Sequence, residues 1–229
     1  MREMDKKPAA KKPKAKRPEA KPLLQDCLVT ANKEILKKPL NKYSKSHISA
    51  IDRNTDIVWF KEADAPLKRE NLIGVYLWNG RRTHERGTLP LDIRIHLALY
   101  RRYPQINSIA HVYPPNAMPF SQAGEDIPVM TADHRPEFGD SIRCCAGIYE
   151  GDTEPICRLR EAEMAEALEE GSVVTSGGLL LHHDGALVWS MSPRETIETA
   201  MRLETAAQAA WSRVMQERKT KVFGNEDAG

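Results

Sequence analysis

The stretch Ser108-Ile109-Ala110-His111-Val112-Tyr113-Pro114-Pro115-Asn116-Ala117 restricts the fold more than any other part of the chain. The residues from Ile106 to Tyr113 read as a buried strand. Two prolines stop it, because proline has no N–H to give to a ladder. Alternation places His111 and Tyr113 on one face at the strand's end. A histidine and a second ligand-capable side chain at i, i+2 make half of a metal site. The other half has to come from elsewhere, and Leu179-Leu180-Leu181-His182-His183-Asp184-Gly185 is the candidate.

The remaining periodicities build a domain around that strand. Residues 23–38 predict a helix with Leu24, Cys27, Leu28, Ala31 and Ile35 on one face. Strands are predicted over 46–52, 56–60 and 72–78, with Asn79-Gly80 as a hairpin turn. A helix is expected over 92–103, carrying Asp92, His96 and Tyr100, and a short one over 115–123. Short strands at 127–130 and 141–147 precede a helix at 160–170. Closing strands at 178–183 and 186–190 lead to a last helix, opened by a Ser192-Pro193-Arg194-Glu195 capping box and running to 217. The expected product is α/β, a three-layer α/β/α domain over 23–217 with a mostly antiparallel central sheet. The four tryptophans, Trp59, Trp78, Trp189 and Trp211, fall in core patterns. His47 and His84 read as surface histidines, and Asp133-His134-Arg135 as a polar rim near the site.

Composition narrows the function classes. The chain has 229 residues, 41% hydrophobic and 29% charged, enough for one substantial core. No apolar run approaches the roughly 18 residues of a membrane span, and neither a secretory nor a transit signal is visible. Cys27, Cys144, Cys145 and Cys157 lack zinc-ribbon spacing, so reduced thiols and a cytoplasmic location are expected. Residues 1–22 carry nine Lys/Arg against three Asp/Glu, a net +6 in a chain of net +2, so the rest is near −4. That Lys/Pro/Ala-rich tail is expected to be disordered. It can contact nucleic acid or an acidic surface, or simply solubilise. Residues 218–229 read as a flexible C-terminal tail.

Several segments, in order, resemble the class II aldolase/adducin family, and within it the L-ribulose-5-phosphate 4-epimerase branch. They are Ser49-Ala50-Ile51-Asp52-Arg53, then Asp92 with His96 and Tyr100, then His111. Ser121-Gln122-Ala123-Gly124 through Ile127-Pro128, Gly185 through Trp189, and Leu203-Glu204 complete the set. The resemblance implies a divalent metal, usually zinc, held by a His-x-His strand end and by a histidine just before a turn glycine. Those positions are His111, Tyr113 and Asp184 here, with Asp92 at the place of the catalytic acid. Two of the three imidazoles are therefore replaced. Tyrosine must ionise to bind a metal tightly, while aspartate suits zinc, Mn²⁺ or Mg²⁺. His182 or His183 can substitute, or Asp184 can pair with His111 without any metal.

The resemblance also places the phosphate-holding loops at Ser46-His47, Glu62-Ala63-Asp64 and Pro90-Leu91. Hydroxyl and amide donors are missing there and carboxylates are added, so sugar phosphates are expected to bind weakly. Two functions follow from this. One is a pseudoenzyme: a non-catalytic protein, or one of altered chemistry, in a homo-oligomer. The other is a divergent metal-dependent aldolase/lyase or epimerase on a small unphosphorylated hydroxy- or keto-acid. The resemblance implies a four-fold ring, and the apolar turn at 114–120 reads as a face covered in a tetramer.

Overall fold

The computed structural model describes residues 23–40, 45–62, 65–170 and 175–223. The basic tail, residues 1–22, lies outside them, as does Asp64. The elements in order are α1 (Leu24–Ile35), β1 (His47–Asp52), β2 (Ile57–Lys61), β3 (Leu72–Tyr76), α2 (Ile93–Arg102), β4 (Ser108–Val112), α3 (Met118–Ala123) and β5 (Ile127–Pro128). They continue with α4 (Arg135–Phe138), β6 (Ser141–Ile142), β7 (Cys144–Ala146), α5 (Glu154–Glu170), β8 (Gly177–His182), β9 (Ala186–Ser190) and α6 (Pro193–Phe223). Seven strands form one sheet in the order β3-β2-β1-β4-β9-β8-β7, antiparallel except for the β7–β8 pair. The stretch that ends in two prolines is thus the middle strand, β4, and every residue of it is buried.

Alternation along the strands sorts the core into two layers. Ile48 and Ala50 of β1, with Ala110 and Val112 of β4, pack under α1 and α6. Ile51 and Ile109 point the other way, into a second cluster with Ile95, Leu99 and Tyr100 of α2 and Met164 of α5. The result is a sheet between two helical layers. By the same parity, His47 and Ser49 of β1 and His111 of β4 face α2. The β1–β4 register sets His47 directly opposite His111, and residues so placed have Cβ atoms about 5 Å apart. Ser108, one step beyond Ile109 on the other face, donates from Oγ to the Ser49 carbonyl at 3.1 Å and ties the same two strands.

Local signals explain most element ends. Ser192 caps α6, its Oγ accepting from Glu195 N at 3.3 Å, and the helix continues to Phe223, past 217. The chain reverses at Asn79-Gly80, and a single bridge, Val75 to Arg82, follows it. The segment expected as one strand over 141–147 splits in two: β6 pairs with β5 in a separate small sheet, while β7 joins the main one.

Three expectations about side chains away from the cavity fail. Trp78 is 67% exposed, its indole N–H donating to Asp56 at 3.0 Å. The apolar turn after β4 covers itself, since Ala117, Met118 and Phe120 are buried within this chain, so it supplies no open face for a partner. His134 and Arg135 open α4, with His134 bonded to Thr131 and the Asp133 carbonyl to Arg202 of α6. None of 133–135 lines the main cavity.

Candidate active site

A cavity of about 660 Å³ opens at the end of β4. Its wall includes Asp92, His111, Tyr113, Tyr149, His183 and Asp184, together with Lys45, Lys61, Pro90 and Leu91. Sequence reasoning brought His111, Tyr113, Asp184 and Asp92 to one place, and the fold does so too.

Asp92 is the centre. It precedes α2 as its N-cap residue, but its carboxylate makes no capping bond. It turns into the interior instead, where it is 4% exposed. Three imidazoles surround it. His111 Nδ1 lies 2.8 Å from Oδ2, His96 Nε2 3.2 Å from Oδ2, and His47 Nε2 3.3 Å from Oδ1. Burial works against the charged carboxylate, but the neighbouring imidazoles of His47 and His96 and the hydrogen bond from His111 outweigh it. They hold its pKa well below the usual carboxylate range. The α2 N-terminus adds a favourable dipole.

The surrounding groups fix each ring. His96, four residues along α2, is fully buried and its Nδ1 meets Ser49 Oγ at 2.7 Å, which in turn meets Tyr100 hydroxyl at 2.8 Å. Burial lowers the pKa of His96, so it is the neutral member, and it serves to hold Asp92. His111 is bracketed: besides Asp92, its Nε2 bonds the backbone carbonyl of Asp184. Burial would depress its pKa, but the hydrogen bond and charge of Asp92, joined by Asp184, raise it to about 9. His111 and Tyr113 stack at 4.9 Å between ring centroids, as expected for i, i+2 on one face.

Asp184 reaches the cavity differently from the expectation. Its carbonyl, not its carboxylate, is what holds His111. The carboxylate Oδ1 is 4.0 Å from His111 Nε2 and accepts from the Tyr113 hydroxyl at 3.3 Å. Burial, and then the Asp184 and Asp92 charges, raise the pKa of that phenol, so the phenol stays protonated at neutral pH. The turn is pinned by Ser121, whose carbonyl accepts from His183 N and whose Oγ accepts from Gly185 N. Gly185 has φ +84, and a Cβ there would sit 2.4 Å from the Val112 carbonyl, so only glycine lets the turn lie this close to β4. Of the two neighbouring histidines, His183 lines the cavity and His182 does not.

The residue missed by sequence reasoning is His47. It is 7% exposed, not a surface group. His84 is also half-buried, against the Leu72 carbonyl. His47, Asp92 and His111 are the acid and imidazole groups that come together tightly enough to hold a metal ion among the described residues, one ligand atom from each lying within 4.8 Å of the others. Tyr113 and Asp184, expected to complete the set with His111, line the same cavity. The available signal was positional: His47 stands where the family's first loop has an amide.

A central antiparallel sheet between helices, with an acid and imidazoles gathered at one strand end, defines a class II aldolase-type fold. The family model for the class II aldolase and adducin N-terminal domain matches residues 26–211, and the chain belongs to that family. It is 25% identical over 192 residues to the L-ribulose-5-phosphate 4-epimerase UlaF of Salmonella paratyphi B, covering 82% of this chain and 84% of that one. Among solved structures, an L-fuculose 1-phosphate aldolase superposes with a TM-score of 0.67 at 18% identity, over 81% of this chain and 84% of that one. The L-fuculose-1-phosphate aldolase of Thermus thermophilus gives 0.62 at 16% identity, over 85% and 96%.

Proposed function

We propose that this chain is a family member of altered chemistry, a lyase or epimerase acting on a small unphosphorylated hydroxy- or keto-acid. The observation that carries the reading is the buried Asp92 carboxylate in a cavity wall with three imidazoles around it. A buried charge is costly to desolvate and adds little to stability even when paired. Its retention with perturbed neighbours in a cleft favours a working site over a decayed one.

The residues divide the work. Lys45 at the cavity wall sets a positive charge that suits a carboxylate. Pro90 and Leu91, at a position where the family holds phosphate, offer no hydroxyl, which favours an unphosphorylated ligand. Asp92, enclosed by imidazoles, positions the rings at the cavity wall. Asp184, with its side chain 33% exposed and Tyr113 hydroxyl donating to it, is placed to take a proton from the ligand and return it. An aldol cleavage needs such a group to take the hydroxyl proton as the carbon–carbon bond breaks and to protonate the enolate carbon left behind, and an epimerisation by proton transfer needs it at the carbon next to the carbonyl.

Calorimetric titration with short hydroxy- and keto-acids, beside L-ribulose 5-phosphate and L-fuculose 1-phosphate, tests the ligand class. Proton–deuterium exchange at the ligand α-carbon tests the chemistry. An acid should bind and exchange, and Asp184→Asn should bind it but exchange it about 10²-fold more slowly or worse. Saturable micromolar binding of either sugar phosphate would overturn the ligand class. Binding of an acid without exchange would turn the reading to a non-catalytic binding protein.

A further inference from the structure

The geometry points to a divalent-metal centre formed by His47, Asp92 and His111, shifted from the strand-and-turn set of His111, Tyr113 and Asp184. The inference rests on reading this cavity as a working site, but it concerns metal binding and stands apart from the substrate class.

The first argument is an unmet electrostatic need. His47 Nε2 and Asp92 Oδ1 are both buried without a hydrogen-bond partner, though they face one another at 3.3 Å. His47 Nδ1 lies 3.3 Å from the Lys45 carbonyl, an acceptor, so that nitrogen carries the proton and Nε2 carries the lone pair. A lone pair then faces a carboxylate oxygen with nothing between. Buried acceptors so arranged are costly unless a proton or a metal cation sits between them.

The second argument is that every outer contact a metal site needs is already made. Metal-binding histidines give their other ring N–H to a carbonyl or carboxylate, which fixes the tautomer. His47 does so to Lys45, and His111 does so from Nε2 to the Asp184 carbonyl. The ligand atoms are then His47 Nε2 and His111 Nδ1, the latter giving up the proton it shares with Asp92 Oδ2 when the metal binds. The second carboxylate oxygen of Asp92 accepts from His96, itself held by Ser49. The β1–β4 register makes the two imidazoles cross-strand partners, so their separation is set by the sheet.

The third argument is the donor set. Two imidazoles and one carboxylate with an open side towards a cavity suit Zn²⁺, Mn²⁺ or Fe²⁺. Such an ion polarises a carbonyl or hydroxyl oxygen of a bound ligand. On this reading the imidazole missing at Tyr113 is supplied by His47 from the neighbouring strand. Asp184 is left to face the ligand.

The test is metal binding to chelator-stripped protein, followed by calorimetry and thermal shift with Zn²⁺ and Mn²⁺. One ion per chain is expected. His47→Phe keeps the ring and removes its nitrogens. It should weaken binding at least about 10- to 100-fold, while Tyr113→Phe and Asp184→Asn stay within a few-fold of the parent. Unchanged binding in His47→Phe with loss in Asp184→Asn or Tyr113→Phe would overturn the assignment, as would no binding by the parent at millimolar metal. Should His47→Phe fail to fold, Co²⁺ added to ¹⁵N-histidine-labelled parent protein decides the matter. Two paramagnetically shifted imidazoles support the assignment, and one or none overturns it. Substrate exchange enters none of these readouts, so a wrong ligand class leaves them intact.

Discussion

Asp92 is the residue on which the site turns, and its removal has a calculable direction. In metal-free protein, Asp92→Asn takes the counter-charge from a His111 whose pKa it raises to about 9. Breaking a buried pair by removing one partner costs about 3–5 kcal/mol, and urea unfolding at pH 7 should show a loss of that order. The pH dependence has a defined sign. His111 has an unfolded pKa of about 6.5, lower than its folded one, so its contribution is complete below about pH 6.5 and fades as pH rises through about 9. Stability of stripped protein should therefore fall across that window, and the fall should flatten in His111→Ala. At this scale the sequence showed half of the site. His111 and Tyr113 were legible from strand alternation, and Asp184 from its place before a turn glycine. His47 was not, because β1 is buried on both faces. In such a strand polarity does not alternate, and Lys45-Ser46-His47 reads as an exposed edge.

Two elements hold the site in shape. The first is the join of α1 to β1. Asn32 is fully buried, donates from Nδ2 to the Leu28 and Ile48 carbonyls, and accepts from Ile48 N at 2.9 Å. It therefore fixes the strand residue next to His47. Asn32→Ala leaves buried backbone groups unpaired and should cost about 1–3 kcal/mol by urea denaturation, with a weaker metal thermal shift because β1 loosens. The second is the β8–β9 turn. Gly185→Ala drives a Cβ towards the Val112 carbonyl at a positive φ, and about 1–3 kcal/mol of destabilisation is expected. Helices and long strands were legible because their apolar periods were long. The β6–β7 split was not, since Arg143 between two short strands gives no periodic signal. The four-residue helix α4 was missed for the same reason.

At the scale of the whole molecule, charge and assembly separate. The excess positive charge lies in residues 1–22, and the remainder is near −4. A form lacking them should lose salt-sensitive retention on heparin while keeping its melting temperature. We propose that the chain assembles with itself, most simply as a tetramer. The turn after β4 does not argue for this, since it is buried within one chain. Light scattering at micromolar concentration tests it, and a monomer would refute it. Anomalous diffraction from crystals soaked in Mn²⁺ locates the metal outright. The expected result is one peak about 2.0–2.3 Å from His47 Nε2, Asp92 Oδ1 and His111 Nδ1. A peak held by the Asp184 carboxylate and Tyr113 hydroxyl, with His47 uninvolved, would contradict a site rebuilt around Asp92.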